Sequence, residues 1–270
     1  MTAAATPYPI SPVADDEREA FTRAIGLAFG ATLDDDAVAY YAGNEVRDRF
    51  AARDGDRIVG TTVTLDFTLS VPNAPAVPCS GVTGVTVQPT HRRRGILTSL
   101  MQYQTDAVRA RGDAWAALYA SEASSYGRFG YGVASHTRTY RIDGPWKRFT
   151  EPVTPSDVER LDVAQACERV PPIFRAVHDM VPGMMAMSDR GWRRHLEWDP
   201  ESERHGASAR QFVAIGDRAS ASYRIKQGWH GNSPDATLRV EDCMAADAEA
   251  HRQIWAYLLA SISWRTSLPT

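Results

Sequence analysis

Apolar residues along the first half of the chain switch repeatedly between helical and alternating spacing. Helical spacing over residues 15–29 predicts a helix that Gly30 ends. Residues 48–52 and the run "RIVGTTVTLDFTL" at 57–69 flank Asp54-Gly55-Asp56, so they predict a hairpin. The first dozen residues are rich in alanine and proline and are expected to form a loose terminus.

A second group of elements follows a loop predicted at 71–78, which holds three prolines. Residues 80–87 predict a strand, and helical spacing over 95–112 predicts an amphipathic helix. The apolar run "AWAALYA" at 114–120 predicts a strand covered on both faces, followed by a short helix. Residues 133–142 predict another strand. Helices interleaved with strands in this order indicate an α/β fold with a mixed sheet.

Gly144-Pro145 and Glu151-Pro152 mark a boundary that divides the chain into domains of residues 1–145 and 146–270. The second domain repeats the order of the first more weakly, as a decayed duplication would. Its apolar helix at 249–262 is followed by too little chain to cover it, so this domain is expected to be incomplete at its C-terminus. The other elements predicted there are a strand at 158–161, a helix at 164–180 interrupted by Pro171-Pro172, a short helix at 191–198, a hairpin at 211–226 and a strand at 236–240.

Composition narrows the classes of function. The 270 residues carry a net charge of −3 and a pI near 6.2, which argues against a general nucleic-acid binder because such domains have a large positive surplus. Three widely spaced cysteines favour reduced thiols in the cytoplasm. No apolar run approaches the ~18 residues of a membrane span. We therefore expect no membrane insertion. The seven histidines show no metal-binding spacing, so we also expect no metal site.

The segment "VTVQPTHRRRGILTSLM" at 85–101 carries the most distinctive chemistry, because it places Arg92, Arg93, Arg94 and Gly95 between a strand and a helix. A helix start presents unpaired N–H groups and partial positive charge, and glycine lets an anion approach them. Guanidinium groups add bidentate hydrogen bonds. Together they predict a pyrophosphate cradle that is neither a GxxxxGK[ST] loop nor a GxGxxG fingerprint. The alternatives are a solvated basic turn and, more weakly, a nucleic-acid patch, since no aromatic residue interleaves with the arginines.

The same run resembles the acetyl-CoA motif of the GNAT superfamily of N-acetyltransferases, and more closely that of its Eis (enhanced intracellular survival) group. Members of this group carry a similar "VxPTHRRRGxL" run and, after the next strand, "YGRFGYG", which stands here at 126–132. Leu97 replaces the glycine or alanine usual in the superfamily, as it does in the Eis group. The resemblance implies a GNAT-type fold, then a second GNAT-like domain without cofactor, and no sterol-carrier-like third domain.

The resemblance also implies roles for individual residues. Tyr126 corresponds to the general acid that protonates the departing thiolate of acetyl-CoA. Taken singly, a valine in a strand or a half-apolar tyrosine is usually a packing residue, so the functional interpretation depends on their joint placement. The residues expected to bind acetyl-CoA are Val85, Thr86 and Val87 along the pantetheine arm, Arg93, Arg94, Gly95, Ile96, Leu97 and Thr98 around the pyrophosphate, and Ser121 and Glu122 near the reactive end.

The resemblance implies acceptors rich in primary amines, such as aminoglycosides or lysine side chains, and a homo-oligomer, which in the Eis group is a hexamer. A negatively charged cleft would suit such acceptors, and the acidic residues that could line it are Asp34, Asp35 and Asp36 with Glu241, Asp242, Asp247 and Glu249 of the second domain. The alternative for Asp34 to Asp36 is that they are solvated caps of the next helix, where carboxylates are favoured anyway. The choice between the two stays open at this point.

The Eis group takes its general base from the carboxylate at the end of a longer chain, so no base is assigned here. The alternative to an enzyme is therefore a non-catalytic acyl-CoA-binding or sensing protein on the same fold. In the second domain the comparable junction, "LRVEDCMAADAEAHRQIW", has no Arg-Arg-Arg-Gly run and is acidic at Glu241, Asp242, Asp247 and Glu249. Carboxylates there would repel a pyrophosphate, which predicts one acetyl-CoA per chain.

Overall fold

The computed structural model describes residues 7–143, 149–230 and 233–261. Across these three ranges no helix is both long and apolar enough to span a bilayer. The domain boundary expected between residues 145 and 146 falls outside them, so it stays a prediction. The chain divides into two compact units, which are Met1–Leu69 with Ala76–His136 and Ser70–Pro75 with Thr137–Thr270.

The first unit is built on a mixed sheet, as the sequence predicts. Its elements in chain order are β1 (Ile10–Pro12), α1 (Arg18–Ala28), α2 (Asp35–Ala42), β2 (Asp48–Asp54), β3 (Arg57–Val71), β4 (Ala74–Val87), α3 (Ile96–Ala110) and β5 (Trp115–Leu118). The strands lie in the order β1-β2-β3-β4-β5. β2 is antiparallel to β1 and β3, whereas β4 and β5 are parallel and α3 connects them. The predicted hairpin at 48–69 and the predicted helix at 95–112 are confirmed.

Helices pack on both faces of this sheet, as the residues of strand β2 show. Successive strand residues point to opposite faces, so Phe50 and Ala52 share one face and Ala51 the other. Phe50 and Ala52 pack with Ile96 and Leu100 of α3. Ala51 packs instead with Phe21 of α1. The apolar faces of α1 and α3 therefore cover opposite sides of one sheet, and α3 is held against the strands that precede it.

Two predictions, for the first residues and for the segment between β3 and β4, are wrong. The terminus is ordered from residue 7, and Ile10 pairs with Ala52 in β1. The loop expected at 71–78 is a tight turn followed by the start of β4. The pairing of β4 with β5 begins only at Cys79, so the part of β4 that holds Pro75 and Pro78 has no β5 residue beside it, and such an unpaired edge is where a strand tolerates proline.

Strand β5 lies at one end of the strand order and is not covered on both faces. Trp115 is 55% exposed and its other residues are half-buried. The strand predicted at 133–142 is exposed chain without strand pairing in the structure, because β-branched residues form a strand only where a neighbour supplies hydrogen bonds. The short helix predicted after β5 consists of two 3₁₀ turns, Ala123–Ser125 and Gly127–Phe129.

The second unit repeats the succession of strands and helices. Its elements are β6 (Val158–Leu161), α4 (Val163–Met180), β7 (Met185–Met187), α5 (Asp189–Glu197), β8 (Gln211–Ile215), β9 (Ala219–Lys226), β10 (Trp229–His230), β11 (Ser233–Pro234), β12 (Thr237–Ala245) and α6 (Ala248–Ala260). The main sheet has the order β12-β9-β8-β6 and is antiparallel throughout. Strand alternation again divides the core, since Phe212 packs with α4 and α5 while Val213 packs with α6.

Helix α4 runs without interruption through Pro171 and Pro172, so the predicted break is wrong. Each proline removes one backbone hydrogen bond. Pro171, Ile173 and Phe174 are all buried, and this packing compensates for the lost bonds. The hairpin at 211–226 is confirmed, and the strand predicted at 236–240 extends to Ala245. Residue 262, the predicted end of α6, lies outside the described residues.

Candidate active site

The end of β4 leaves regular strand geometry at Gly84, which adopts a φ of +57°. This left-handed conformation is accessible to glycine at little cost and strains other residues. The Thr61 hydroxyl donates to the Gly84 carbonyl oxygen at 2.7 Å and lies 2.6 Å from the Thr86 hydroxyl. Because Thr86 is buried and bonded in this way, it offers a ligand its backbone rather than its side chain.

The three residues after Gly84 form an edge at which β4 and β5 have parted. The two strands pair from Cys79–Trp115 to Val82–Leu118, and this register ends three residues before Val85. On the opposite side β4 remains bonded to β3, where the Gln88 N–H donates to the Val59 carbonyl at 2.9 Å. The backbone of Val85, Thr86 and Val87 therefore has no paired residue of β5 beside it, and an extended chain could pair with this edge.

The arginine turn, which we define as residues 92–95, follows this edge. Arg93 has a φ of +63° and Gly95 a φ of +80°, so two left-handed residues alternate with others over four positions. Turns of this kind bring backbone N–H groups round to one concave side. All four residues are exposed, and they directly precede the first residue of α3. The turn can hold an anion with both backbone and side-chain donors.

Close packing holds the start of α3 in place. Ile96 is 1% exposed, so its side chain belongs to the core and only its backbone can serve the turn. A Cβ on Gly60 of β3 would come within 2.7 Å of Ile96 Cγ2 and 2.9 Å of Leu100 Cδ1. The absence of a side chain at Gly60 thus lets the helix lie directly on the sheet. Leu97 and Thr98 are half-buried at the first turn of the helix.

Tyr126 lies beyond the carboxyl end of β5, the strand next to the β4 edge. Parallel strands end at the same side of a sheet, so the chain leaving β5 emerges beside the unpaired edge of β4. Ser121 and Glu122 are exposed there, and the Ser125 hydroxyl donates to Glu122 Oε2 at 3.2 Å. Burial, and secondarily the Glu122 carboxylate, raises the pKa of Tyr126 above its ordinary value. A tyrosine in this state keeps its proton and can donate it.

The corresponding junction of the second unit is closed by its own side chains. Asp247 precedes α6, and its Oδ1 accepts a hydrogen bond from the Ala250 N–H at 2.9 Å. Arg218 donates to both Asp247 carboxylate oxygens, and these bonds lower the Asp247 pKa to about 2. Glu241, which the sequence interpretation treats as a repelling charge, accepts hydrogen bonds from Arg210 and Arg224. The place of an anion at this helix start is therefore filled by Asp247.

The acidic residues before α2 act mainly within the fold. The Asp34 carboxylate accepts a hydrogen bond from the Ala37 N–H at 2.7 Å, as a helix cap does. Asp35 pairs with Arg23 at 2.7 Å. The capping interpretation therefore accounts for Asp34, and neither residue is left as a free negative charge.

Comparisons with known proteins agree with this architecture. The family described as the Acetyltransferase (GNAT) domain matches residues 9–134, and a second family of the same description matches residues 183–267. The chain belongs to the GNAT superfamily. It has two GNAT domains, and both the expected fold class and the relation to Eis are confirmed.

Several relatives share much of this GNAT chain. It is 39% identical over 216 residues to an uncharacterized N-acetyltransferase of Streptomyces avermitilis, covering 76% of this chain and 51% of that protein. It is 29% identical over 217 residues to N-acetyltransferase Eis of Mycobacterium tuberculosis, covering 78% and 52%. The crystal structure of Eis1 from Mycobacterium abscessus superposes with a TM-score of 0.76 at 28% identity, covering 93% and 63%. The chain spans about half the length of these two curated relatives.

Sequence reasoning missed some residues that lie at or near the candidate site. Gly84 carried a usable signal, since a glycine inside a strand pattern often marks a bulge. Tyr131 stands in the quoted "YGRFGYG" run but was given no role of its own. Tyr8 lies in the segment expected to be loose, and its contact with Arg94 depends on tertiary structure that no local pattern shows.

Proposed function

We propose that this chain transfers the acetyl group of acetyl-CoA to primary amines at the site in its first unit. The observation that carries the proposal is the arginine turn, where two left-handed residues and three exposed guanidinium groups meet the start of α3 directly after a strand edge. An anion binder alone would need only the turn. The adjoining edge at Val85, Thr86 and Val87 supports a longer ligand with an extended amide-bearing arm, as pantetheine has.

The residues present fit acetyl-CoA. We propose that Arg93, Arg94 and the backbone N–H groups of Gly95, Ile96, Leu97 and Thr98 hold the pyrophosphate through charge-assisted hydrogen bonds. The edge of β4 pairs with the pantetheine arm and directs it toward the end of β5. Ser121 and Glu122 lie at that end, so the thioester would reach the region of Tyr126.

The reaction requires a neutral amine, because a protonated amine has no lone pair. Its nitrogen attacks the thioester carbonyl carbon, the carbon–sulfur bond breaks, and the amine proton passes to water or to a base. The thiolate that leaves takes a proton from Tyr126, whose raised pKa keeps it protonated. Phenolate formation at Tyr126 is then reversed by proton uptake from solvent. Proton donation to the thiolate by a positioned acid raises the rate by about 10²–10⁴-fold.

We further propose polycationic amines, of the aminoglycoside or lysine type, as acceptors. The named relatives are N-acetyltransferases, which supports nitrogen as the acceptor atom. The exposed Glu122 carboxylate beside Tyr126 supports a cationic acceptor, since it would attract an ammonium group toward the thioester. The Asp247 cap supports a single cofactor per chain, in the first unit.

The experiment is a thiol-release assay with acetyl-CoA and a panel of a polyamine, a lysine peptide and an aminoglycoside, run beside calorimetric titration of acetyl-CoA. We expect binding and amine-dependent thiol release, both weakened in Arg93→Ala. Binding without release for every amine would favour the non-catalytic acyl-CoA-binding alternative. Absence of binding would overturn the proposal. Sedimentation of the same sample tests the hexamer that the resemblance implies.

A further inference from the structure

Tyr8, just before β1, touches the arginine turn. Arg94 Nη1 donates a hydrogen bond to the Tyr8 hydroxyl oxygen at 2.6 Å, across 86 positions of sequence. The bond lies within the first unit. Arg94 belongs to the exposed guanidinium groups that the proposed function assigns to pyrophosphate, so the terminal segment reaches one of the residues assigned to bind the cofactor.

The Tyr8 ring is itself held in place. It meets the His91 ring edge to face, with centroids 5.4 Å apart and planes at 79°. Its backbone is anchored on both sides, because the Arg53 N–H donates to the Pro9 carbonyl and Ile10 pairs with Ala52 in the sheet. The ring also packs at the margin of the core that contains Ile96. Tyr8 is therefore a rigid acceptor rather than a side chain on a loose terminus.

His91 is fixed by two further hydrogen bonds. Its Nε2 lies 3.1 Å from Asp54 Oδ2, and its Nδ1 lies 2.8 Å from the Thr90 hydroxyl. An ionised carboxylate only accepts, so Nε2 donates to Asp54, and in the neutral imidazole Nδ1 then accepts from the Thr90 hydroxyl. His91 is 6% exposed, which leaves its ring little freedom. The contacts form a continuous series from Asp54 at the hairpin turn, through His91 and Tyr8, to Arg94.

We propose that Tyr8 is a positioning residue for Arg94, one that orients its guanidinium for the cofactor pyrophosphate before the cofactor arrives. An exposed arginine loses rotamer entropy when it binds an anion, and a hydrogen bond already made in the free protein removes part of that cost. The guanidinium has five N–H donors, so a bond to Tyr8 leaves others for the ligand. This inference rests on the proposed function, because it concerns the affinity of the same site.

The test is a double-mutant cycle on acetyl-CoA affinity, measured by calorimetry with the full chain. Tyr8→Phe keeps the ring against His91 and removes only the hydroxyl. We expect it to weaken acetyl-CoA binding by about three- to tenfold, the effect that the net contribution of one typical hydrogen bond would have, with little change in kcat. In an Arg94→Ala background the same change should have no effect. The matched control is Tyr257→Phe, which removes a tyrosine hydroxyl lying 3.0 Å from that of Tyr223 in the second unit and should leave affinity unchanged.

A second measurement does not depend on the cofactor. In the free protein, ¹⁵N relaxation of the Arg94 Nε–H should report a restricted side chain that becomes mobile in Tyr8→Phe. Unchanged or tighter acetyl-CoA binding in Tyr8→Phe would overturn the inference, as would an effect that persists in Arg94→Ala, since it would then act through the fold. If the wild-type chain binds no acetyl-CoA, the proposed function fails and this inference with it, whereas a wild type that binds and an insensitive Tyr8→Phe would reject the inference alone.

Discussion

The rings of Tyr126 and Tyr131 meet edge to face, with centroids 6.0 Å apart and planes at 77°. Gly130, with a φ of +90°, turns the backbone between them, and the Tyr131 N–H donates to the Tyr126 carbonyl at 3.4 Å. Burial raises the pKa of Tyr131 to about 12, with further contributions from Tyr126 and Cys79. Tyr126 thus stands in a half-buried aromatic setting that favours the protonated phenol.

Replacing Tyr126 with Phe tests its role as the acid. We expect kcat to fall about 10²-fold, because the thiolate must then leave without a positioned proton donor. The KM for acetyl-CoA should change little, since the ring remains. Steady-state kinetics measure both values. Tyr103→Phe, on α3 against Phe50, is the matched control and should keep wild-type turnover.

The pH dependence of kcat gives a second test of Tyr126. Its pKa is raised above the ordinary 10, so the alkaline fall in rate should come at a higher pH than an unperturbed tyrosine would give. The alkaline limb should disappear in Tyr126→Phe. An alkaline limb retained unchanged in that variant would assign the loss to another group.

Two substitutions of Arg93 distinguish the contribution of its guanidinium to binding from the steric cost of its left-handed backbone. Arg93→Ala and Arg93→Gly both remove the guanidinium, so both should weaken acetyl-CoA binding equally. Alanine keeps the steric cost of a φ of +63° and glycine does not. We expect the glycine variant to be more stable than the alanine variant by about 1 kcal/mol, measured by denaturant unfolding. Equal stabilities would show that the turn relaxes when the arginine is removed.

Gly60→Ala tests how closely α3 packs on the sheet. The new Cβ would press on Ile96 and Leu100 inside a packed core, and overpacking of this kind costs about 1–3 kcal/mol. Urea unfolding measures the change. Gly132→Ala is the control, because a Cβ there would meet no atom within 4 Å. A Gly60→Ala variant as stable as the control would contradict the close approach of helix and sheet.

The Arg218–Asp247 pair predicts an acid-dependent loss of stability. The Asp247 pKa is lowered from 3.8 to about 2 in the folded chain, so the pair stabilises the fold above pH 4, and this contribution is lost as the pH falls from about 4 to about 2. Asp247→Asn should flatten stability over that window, measured by acid unfolding. Asp217 is exposed in the turn between β8 and β9, next to Arg218. Asp217→Asn is the control and should keep the wild-type dependence of stability on pH.

Local sequence was sufficient where one short segment decides the structure. Asp54-Gly55-Asp56 specifies the hairpin turn, and the helical spacing after Gly95 specifies α3. Prediction from the sequence was wrong where contacts with other segments decide the local structure. Residues 133–142 have strand composition without strand pairing, and α4 continues through two prolines because its buried side outweighs two lost bonds. At the site the arginines were found from their order, whereas the Tyr8–Arg94 bond joins distant segments and needed the fold.

The junctions before α3 and α6 begin their helices in opposite ways, one with the bare backbone of Gly95 and the other with the carboxylate of Asp247. The two junctions should therefore tolerate different substitutions. Around Asp247 a replacement needs only to preserve folding, and asparagine or serine would meet that demand. Around Gly95 a replacement must preserve both folding and access to the main chain, so a saturation scan should show a tolerant junction and an intolerant one within a single polypeptide.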